Sequence, residues 1–477
     1  MVLQWTIRLI GLVSVLVLAR LLTPEDFGII GIAMATVALI EVLGAIGLRQ
    51  ALLRIESPTR AHYDTAWTIQ LVVCSGIGIL VLASAPMASW AYGEPRLAPV
   101  LAVLAFRFLF FGLVNIGVVD FDRELRFGAD MRMRVASRLG AFVLTLGAAL
   151  LLRNHWALVV GLVSQSALLA IGSYVAHPYR PRLSLAERAT LLGFSLWMLL
   201  IYAAETVQRQ AERLVAAALG GAHLAGLYSV SKDLSEIFTE EISTALNRVT
   251  FVTIAGGAGL DTDPARLTRL LGCYALISAP AGFGLAATAP NAVAVLLGPQ
   301  WVEAAPLLTI IAVYSALFAI YRLISTSLAA AGHARLAAGV AGIGAGLTVI
   351  ACTLVGGLTR DPLALAASAL AANLLLLLLA LGMLARRART ARLPLAAAIA
   401  RPFLAAGLMA LAIRFAPIHG GPPVVELAVE VAFGVPLYVL LVLLLWFAFG
   451  RPQGAEAEAV GIIRRAAGDL GLAGILR

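Results

Sequence analysis

The sequence predicts an all-α polytopic membrane protein with about 14 transmembrane helices. Three observations predict it. Of the 477 residues, 61% are hydrophobic and only 13% are charged, more apolar than a soluble domain of this size needs. The apolar residues gather into runs close to the ~20 residues that cross a bilayer core, with short loops between them. The basic residues also alternate from loop to loop, as the positive-inside rule requires.

The spans follow in order. The first apolar run, 4–22, is followed by Thr23-Pro24-Glu25-Asp26 and not by a small-residue cleavage site, so it reads as a span and not as a signal peptide. Spans two to six are 28–48, 68–90, 97–119, 136–152 and 156–176. Spans seven and eight, 190–218 and 223–250, are joined by Gly220-Gly221 and carry most of the intramembrane charge. Spans nine to fourteen are 270–297, 304–331, 335–357, 362–385, 398–416 and 424–449, followed by a tail, 451–477. No loop is long enough to hold a folded soluble domain.

Span ends read from hydropathy carry a tolerance of about four residues, so a basic residue within three of an end is counted with the adjoining loop; with a cytoplasmic N-terminus, the inner segments then hold twenty-four of the 35 basic residues. The outer loops hold five (Arg20, Arg96, Arg153, Arg360 and Arg414) and the spans hold six (Arg8, Arg107, Arg209, Arg213, Lys232 and Arg322). Both termini are then cytoplasmic. The net charge of +9 does not mark a nucleic-acid binder, because the arginines are spread over short loops and form no basic face. Cys74, Cys273 and Cys352 lie in apolar runs and read as small core residues. The histidines lie near span ends without metal-ligand spacing, and no P-loop, nucleophile elbow or paired-cysteine motif occurs. No cofactor and no metal are expected.

The charged spans hold the candidate site. Ser229, Asp233, Glu236, Glu240, Ser243 and Asn247 recur in steps of four and three, which puts them on one stripe of a helix. In span seven, Tyr202, Glu205, Arg209, Glu212 and Arg213 share another sector. Polar stripes inside a membrane protein are tolerated where they face a bundle interior or a water-filled cavity, so they point to a transport pathway. Arg107, Arg209, Arg213 and Arg322 are expected to hold an anionic head group, because a guanidinium binds phosphate through a planar fork of donors. Glu205, Glu212, Lys232, Asp233, Glu236, Glu240 and Glu41 are expected to serve ion coupling or cavity hydration. Two bland alternatives stand beside this reading. The charges of spans seven and eight could neutralise one another between packed helices, or both spans could lie on the surface as an amphipathic hairpin.

The chain repeats itself weakly. Leu21-Leu22-Thr23-Pro24-Glu25-Asp26-Phe27-Gly28 matches Leu219-Gly220-Gly221-Ala222-His223-Leu224-Ala225-Gly226, and the openings of spans four and ten match at a similar offset. An even number of spans between repeats implies two parallel halves: an N-terminal lobe, 1–180, and a C-terminal lobe, 181–392. The extra helices of 393–450 and the tail of 451–477 follow.

Several segments resemble the bacterial polysaccharide (lipid-linked oligosaccharide) flippases of the multidrug/oligosaccharidyl-lipid/polysaccharide exporter superfamily. They are Ala19-Arg20-Leu21-Leu22-Thr23-Pro24-Glu25-Asp26-Phe27-Gly28, Asp122-Arg123-Glu124-Leu125-Arg126-Phe127, Ala225-Gly226-Leu227-Tyr228-Ser229 and Leu297-Gly298-Pro299-Gln300-Trp301. The resemblance covers residues 10 to 335 well and the remainder only by hydropathy. It implies two six-helix lobes forming a V around a central cavity, with alternating access. It implies a flippase, not an enzyme, that moves undecaprenyl-pyrophosphate-linked repeat units across the bacterial inner membrane for exopolysaccharide, capsule or O-antigen synthesis; a proton or sodium gradient, or substrate flux, is expected to drive it. Its partners would be lipid-linked oligosaccharide, membrane lipids, a polysaccharide polymerase and export machinery, with no nucleic acid, and the protein itself is expected to be a monomer. By the same resemblance, Glu212 stands where the family often has an aspartate in span seven.

Three alternatives remain. A multidrug or cation antiporter on the same fold would want a carboxylate in span one, where only Arg8 occurs. A polysaccharide polymerase or ligase would want a large outer loop. A major facilitator transporter would want a Gly-x-x-x-Asp-Arg-x-Gly-Arg pattern after span two.

Overall fold

A computed structural model describes residues 2–44, 47–124, 126–191, 196–255, 264–388, 392–416, 420–452, 454–458 and 460–461. Side chains are described outside 2–9, 127, 238, 240–255, 264 and 392. Among these residues the chain is helical, with short 3-10 turns and no strand.

The first compact unit is Met1–Ser229. It contains α1 (Val2–Leu21), α2 (Pro24–Glu41), α3 (Leu48–Arg54), α4 (Arg60–Tyr92), α5 (Leu97–Gly112), α6 (Asp120–Arg123), α7 (Phe127–Leu152), α8 (Trp156–Ala176) and α9 (Arg188–Leu191). It also contains the first part of the long helix α10 (Leu196–Ala255). The second unit, Val230–Arg477, holds the rest of α10. It continues with α11 (Pro264–Ala287), α12 (Ala289–Leu296), α13 (Ala304–Ala330), α14 (Ala334–Thr359), α15 (Pro362–Arg387), α16 (Arg392–Phe415) and α17 (Pro423–Ala448). The expected lobe boundary at 180/181 follows the repeat, whereas packing carries the first unit on through Ser229.

Among the described residues, eleven helices are long and apolar enough to cross a membrane, or twelve when Leu97–Leu113 and Ile116–Arg123, bent by 65°, form one span. Each of the fourteen expected spans overlaps helix among the described residues, but the count of fourteen is not confirmed. Spans seven and eight merge into α10 and count once, while the apolar part of α1, Ile10–Leu21, is shorter than the rest. Helices carry this fold because hydrocarbon offers no partner to a bare peptide group. Large apolar side chains point outward, including Leu151 at 86% and Leu358 at 84% exposure, as lipid-facing positions should.

Local chemistry sets the ends and breaks. Thr23 and Asp26 form a capping box at the start of α2, with Pro24 in the first turn. Gly93, at φ 61°, closes α4 in the left-handed region. The break in span four is held by Asn115. Its Oδ1 accepts from the Gly117 nitrogen at 3.0 Å, and its Nδ2 donates to the Tyr179 carbonyl at 2.8 Å. The backbone groups freed by the bend therefore find protein partners.

The linker after α8 is fastened to the first unit along its length. Tyr179 donates its hydroxyl to Asp64 at 2.6 Å, and the Arg182 nitrogen donates to the same carboxylate at 2.7 Å. The Ser184 nitrogen donates to the Thr68 hydroxyl at 2.9 Å, and that of Glu187 to the Thr65 hydroxyl at 3.3 Å. Outside the spans, burial and the bond to Asp64 push the Tyr179 phenol well above its ordinary value, so it stays a donor.

Candidate functional site

The first part of α10 carries the polar stripe of span seven into the interior of the first unit. Its apolar positions Ala211, Ala216 and Ala217 are buried, and small residues let neighbouring backbones come close. Glu212 is 1% exposed and Gln208 is 0% exposed. Glu205, Arg209 and Arg213 are half-buried. Glu205, Arg209, Glu212 and Arg213 all engage a partner, and their charges balance within two helical turns. Gln208 differs. Neither its Oε1 nor its Nε2 has a hydrogen-bond partner among the described residues. A buried amide without partners costs about 1–3 kcal/mol, so this position suits contact with water or a polar cargo group. A search for charges passes over Gln208; its place one turn before Glu212 is the signal that finds it.

Just beyond the stripe, α10 packs beside α2 and α5. Ile29, Ile32 and Val37 of α2, Leu101, Leu104 and Phe108 of α5, and Ala217, Ala222 and Ala225 of α10 share one apolar cluster. On α5, half-buried Arg107 lies over the Phe111 ring at 4.9 Å and points Nη1 at the Met34 sulfur at 3.8 Å. Glu41 of α2 lies within electrostatic reach of it. The structure thus gives Arg107 a carboxylate on another helix, which its neighbours in sequence do not supply.

At Gly220-Gly221 the backbone of α10 leaves helical geometry, and Gly221 takes φ 63° and ψ −157°, a conformation that favours glycine. Beyond the kink, α10 crosses α2 with backbone against backbone. A Cβ on Gly28 would strike the Ala222 carbonyl oxygen, and a Cβ on Gly226 would strike the Pro24 carbonyl oxygen. The two contacts are reciprocal and join the two copies of the sequence repeat. The Ser229 side chain fills the space a Cβ would need at Gly31. His223 Nδ1 and Glu25 Oε1, 198 residues apart in sequence, meet at 2.7 Å beside this crossing.

In the second unit the span-eight stripe splits. Lys232 is 2% exposed, with Nζ 5.1 Å from the Tyr314 ring centroid, a cation–π geometry. Tyr314 stacks on Phe318 at 5.8 Å, and Phe318 tilts against Tyr321 at 5.7 Å. Asn373 of α15 donates to the Tyr314 carbonyl at 3.2 Å. Asp233 is exposed, and Glu236 and Arg322 are half-buried. Lys232, Asp233 and Arg322 are partnered. The Glu240 side chain, like those of Ser243 and Asn247, lies outside the described residues. Consecutive residues of a helix point about 100° apart, so Lys232 enters the core while Asp233 leaves it.

The structure therefore brings Glu41 within electrostatic reach of Arg107, and puts Glu205, Arg209, Glu212 and Arg213 on one stripe of the first unit. It puts Lys232, Asp233, Glu236 and Arg322 in the second. A second acidic group, on α17, escapes the sequence pattern. Asn291 Nδ2 donates to Glu426 at 3.2 Å and to Glu430 at 3.0 Å, joining α12 to α17.

Comparisons with known proteins agree with one another. A family described as polysaccharide biosynthesis protein matches residues 17–306. The chain is 25% identical to the lipopolysaccharide biosynthesis protein WzxC of Escherichia coli (strain K12), over 64% of this chain and 63% of that protein. It is 28% identical to the succinoglycan biosynthesis transport protein ExoT of Rhizobium meliloti (strain 1021), over 63% of this chain and 61% of that protein. The matches thus span less than two thirds of these relatives' length. Among solved structures, the lipid II flippase MurJ in an inward closed conformation aligns with a TM-score of 0.71 and 13% identity, covering 94% of this chain and 98% of that one. An inward-facing multidrug resistance transporter of the MATE family, in the MOP superfamily, aligns at 0.58 with 15% identity, covering 81% and 96%. These likenesses show the fold.

Proposed function

The chain belongs to the family of polysaccharide biosynthesis proteins, and from that premise we propose that it is a flippase for lipid-linked oligosaccharides. The cargo is a repeat unit on undecaprenyl pyrophosphate, which crosses from the inner to the outer leaflet of the bacterial inner membrane for exopolysaccharide, capsule or O-antigen synthesis. The protein works as a transporter and not as an enzyme, by alternating access coupled to an ion gradient, with both termini cytoplasmic.

The observation that carries this reading is the buried stripe of α10, where Glu205, Gln208, Arg209, Glu212 and Arg213 form a polar wall inside an apolar, membrane-spanning unit. A stripe of this kind supports a polar cargo path. Arg107, Arg209 and Arg213 of the first unit take the pyrophosphate, because guanidinium forks match phosphate oxygens and keep their charge when partly desolvated, and Arg322 of the second unit is a further candidate for the same anion. Glu205, Glu212, Glu41, Asp233, Glu236 and Glu240 hydrate the path and exchange the coupling ion. Lys232, packed on Tyr314, holds the aromatic wall of the second unit.

The test is flipping of a fluorescent lipid-linked sugar in proteoliposomes under imposed ion gradients. Wild type moves the label to the outer leaflet. Neutral variants of Arg107, Arg209, Arg213 and Arg322, made singly and checked for membrane insertion, move it more slowly. Full activity in all four, or ethidium efflux in place of lipid flipping, would overturn the reading, and the latter would favour the antiporter.

A further inference from the structure

The reciprocal crossing of α2 and α10 carries a titratable pair that the transport path does not use. Two adjacent carboxylates in the first turn of α2 each face a histidine from a different helix. Asp26 faces His155 at the start of α8. Its Oδ1 accepts the His155 backbone N–H at 2.8 Å and lies 3.5 Å from Nδ1, while Oδ2 accepts the Thr23 backbone N–H at 3.2 Å. That pair is nearly buried, with side chains 10% and 11% exposed, and it fixes the turn. Glu25 faces His223, and here the side chains are 44% and 41% exposed, open to exchange of protons with the medium.

Next to the pair, α2 and α10 approach backbone to backbone at Pro24 and Gly28 against Ala222 and Gly226. At these glycines backbone lies directly on backbone, while Ile29 and Ile32 of α2 pack with Ala222 and Ala225 of α10 alongside. The two helices are held by packing and by whatever polar contact flanks the crossing. Here that contact is His223 to Glu25.

We propose that His223 and Glu25 are a proton-operated latch that holds the α2–α10 crossing shut when the medium at that end of the protein turns acidic. The ligand is a proton, bound at the imidazole. A neutral imidazole joins Glu25 by one hydrogen bond. A protonated one adds the attraction of opposite charges, and histidine is the side chain that makes this change between pH 5 and 8. The end concerned is the arginine-poor one, with Arg20, Arg96 and Arg153, which the charge distribution places outside.

Other charges face the latch. From the α4–α5 turn, Arg96 interacts with both Glu25 and Asp26, and is held by Glu94 at 2.8 Å. Glu94 also senses His155. Arg96 stays charged throughout the pH range concerned, and its bond to Glu94 holds that carboxyl below its ordinary value, so neither changes state between pH 8 and 5.5. His155 also lies against a carboxylate, but its partner Asp26 is tied to backbone at both oxygens.

The inference rests on the alternating-access part of the proposed function and not on the cargo. The measurement therefore uses the full chain without any lipid-linked sugar. Spin labels are placed at Met87→Cys on α4 and Ala218→Cys on α10, both exposed and both in the first unit, with Cys74, Cys273 and Cys352 replaced by alanine, in liposomes between pH 8 and 5.5. Wild type should show the ratio of closed to open distances rising by roughly fivefold on acidification. His223→Gln should flatten the response, His223→Lys should stay closed at both pH values, and His155→Gln should retain the response. A response that persists in His223→Gln, disappears in His155→Gln, or is absent from wild type would overturn the latch. Lipid flipping that fails while these distances still respond would sink the cargo assignment alone.

Discussion

α10 buries charge twice, once in each unit, and the two sites are built differently. Glu212 sits on a stripe where polar and charged groups recur along the helix, and its neighbour Gln208 is buried without a protein partner among the described residues. Lys232 is buried to the same degree, yet it lies on the face of an aromatic ladder, Tyr314-Phe318-Tyr321, clamped from α15 by Asn373. The first arrangement leaves bonding capacity for something that comes and goes. The second uses up the charge on fixed rings. Equal burial therefore does not mean equal surroundings, and it is the surroundings on which the proposed roles of the two residues rest.

The contrast can be broken at several points. The most damaging change is Gly226→Leu, because a side chain there meets the Pro24 carbonyl, which cannot give way. Polymer export should fall by about a hundredfold, the equivalent of roughly 3 kcal/mol of overpacking, while the protein still inserts; normal export would show that the crossing need not close. Tyr314→Ala removes the surface under Lys232 and should cost about 3 kcal/mol of stability, read as an earlier thermal transition in detergent. Glu212→Gln keeps shape and hydrogen-bonding and removes only charge, so it should slow flipping by about tenfold without lowering thermal stability. A fall in stability matching the fall in rate would make Glu212 structural. Lys232→Met, of similar length and apolar, should leave flipping within about twofold of wild type; a larger loss would move Lys232 into the transport path.

The smallest expected effect concerns the linker. Burial holds the His177 imidazole below its ordinary value, although Asp120 pulls it the other way. The folded state then binds this proton less readily than the unfolded chain, so stability falls as pH drops through the ordinary histidine range. Acid titration of thermal stability should show this slope, and His177→Asn should reduce it.

The spans were legible because apolar runs of bilayer length, repeated along a chain, are rare outside membranes, and the kink was legible as Gly220-Gly221. The bend at Asn115 was not, since the group that satisfies it, the Tyr179 carbonyl, lies 64 residues away. The charges of span seven were found as a stripe, while Gln208 stayed hidden because its meaning comes from burial and not from its type. Lys232 was grouped with its acidic neighbours by spacing, and only packing shows that it turns inward. The Glu25–His223 pair lies within the repeat but is not legible from it. The repeat had already aligned Thr23-Pro24-Glu25-Asp26-Phe27-Gly28 with Gly221-Ala222-His223-Leu224-Ala225-Gly226, but nothing in a repeat says that its two copies touch.

That touch has a consequence for how the chain is made. Gly28 belongs to the second helix to be synthesised, and its partner Gly226 follows almost two hundred residues later. Until then the notch on α2 has no protein against it. The first unit can therefore insert helix by helix but cannot finish packing before the ribosome has passed Ser229, a long-range closure that is slow and leaves an unsatisfied surface in the meantime. A nascent chain stalled near residue 200 should hold α2 open to a membrane chaperone or to premature association, and one stalled beyond residue 260 should not.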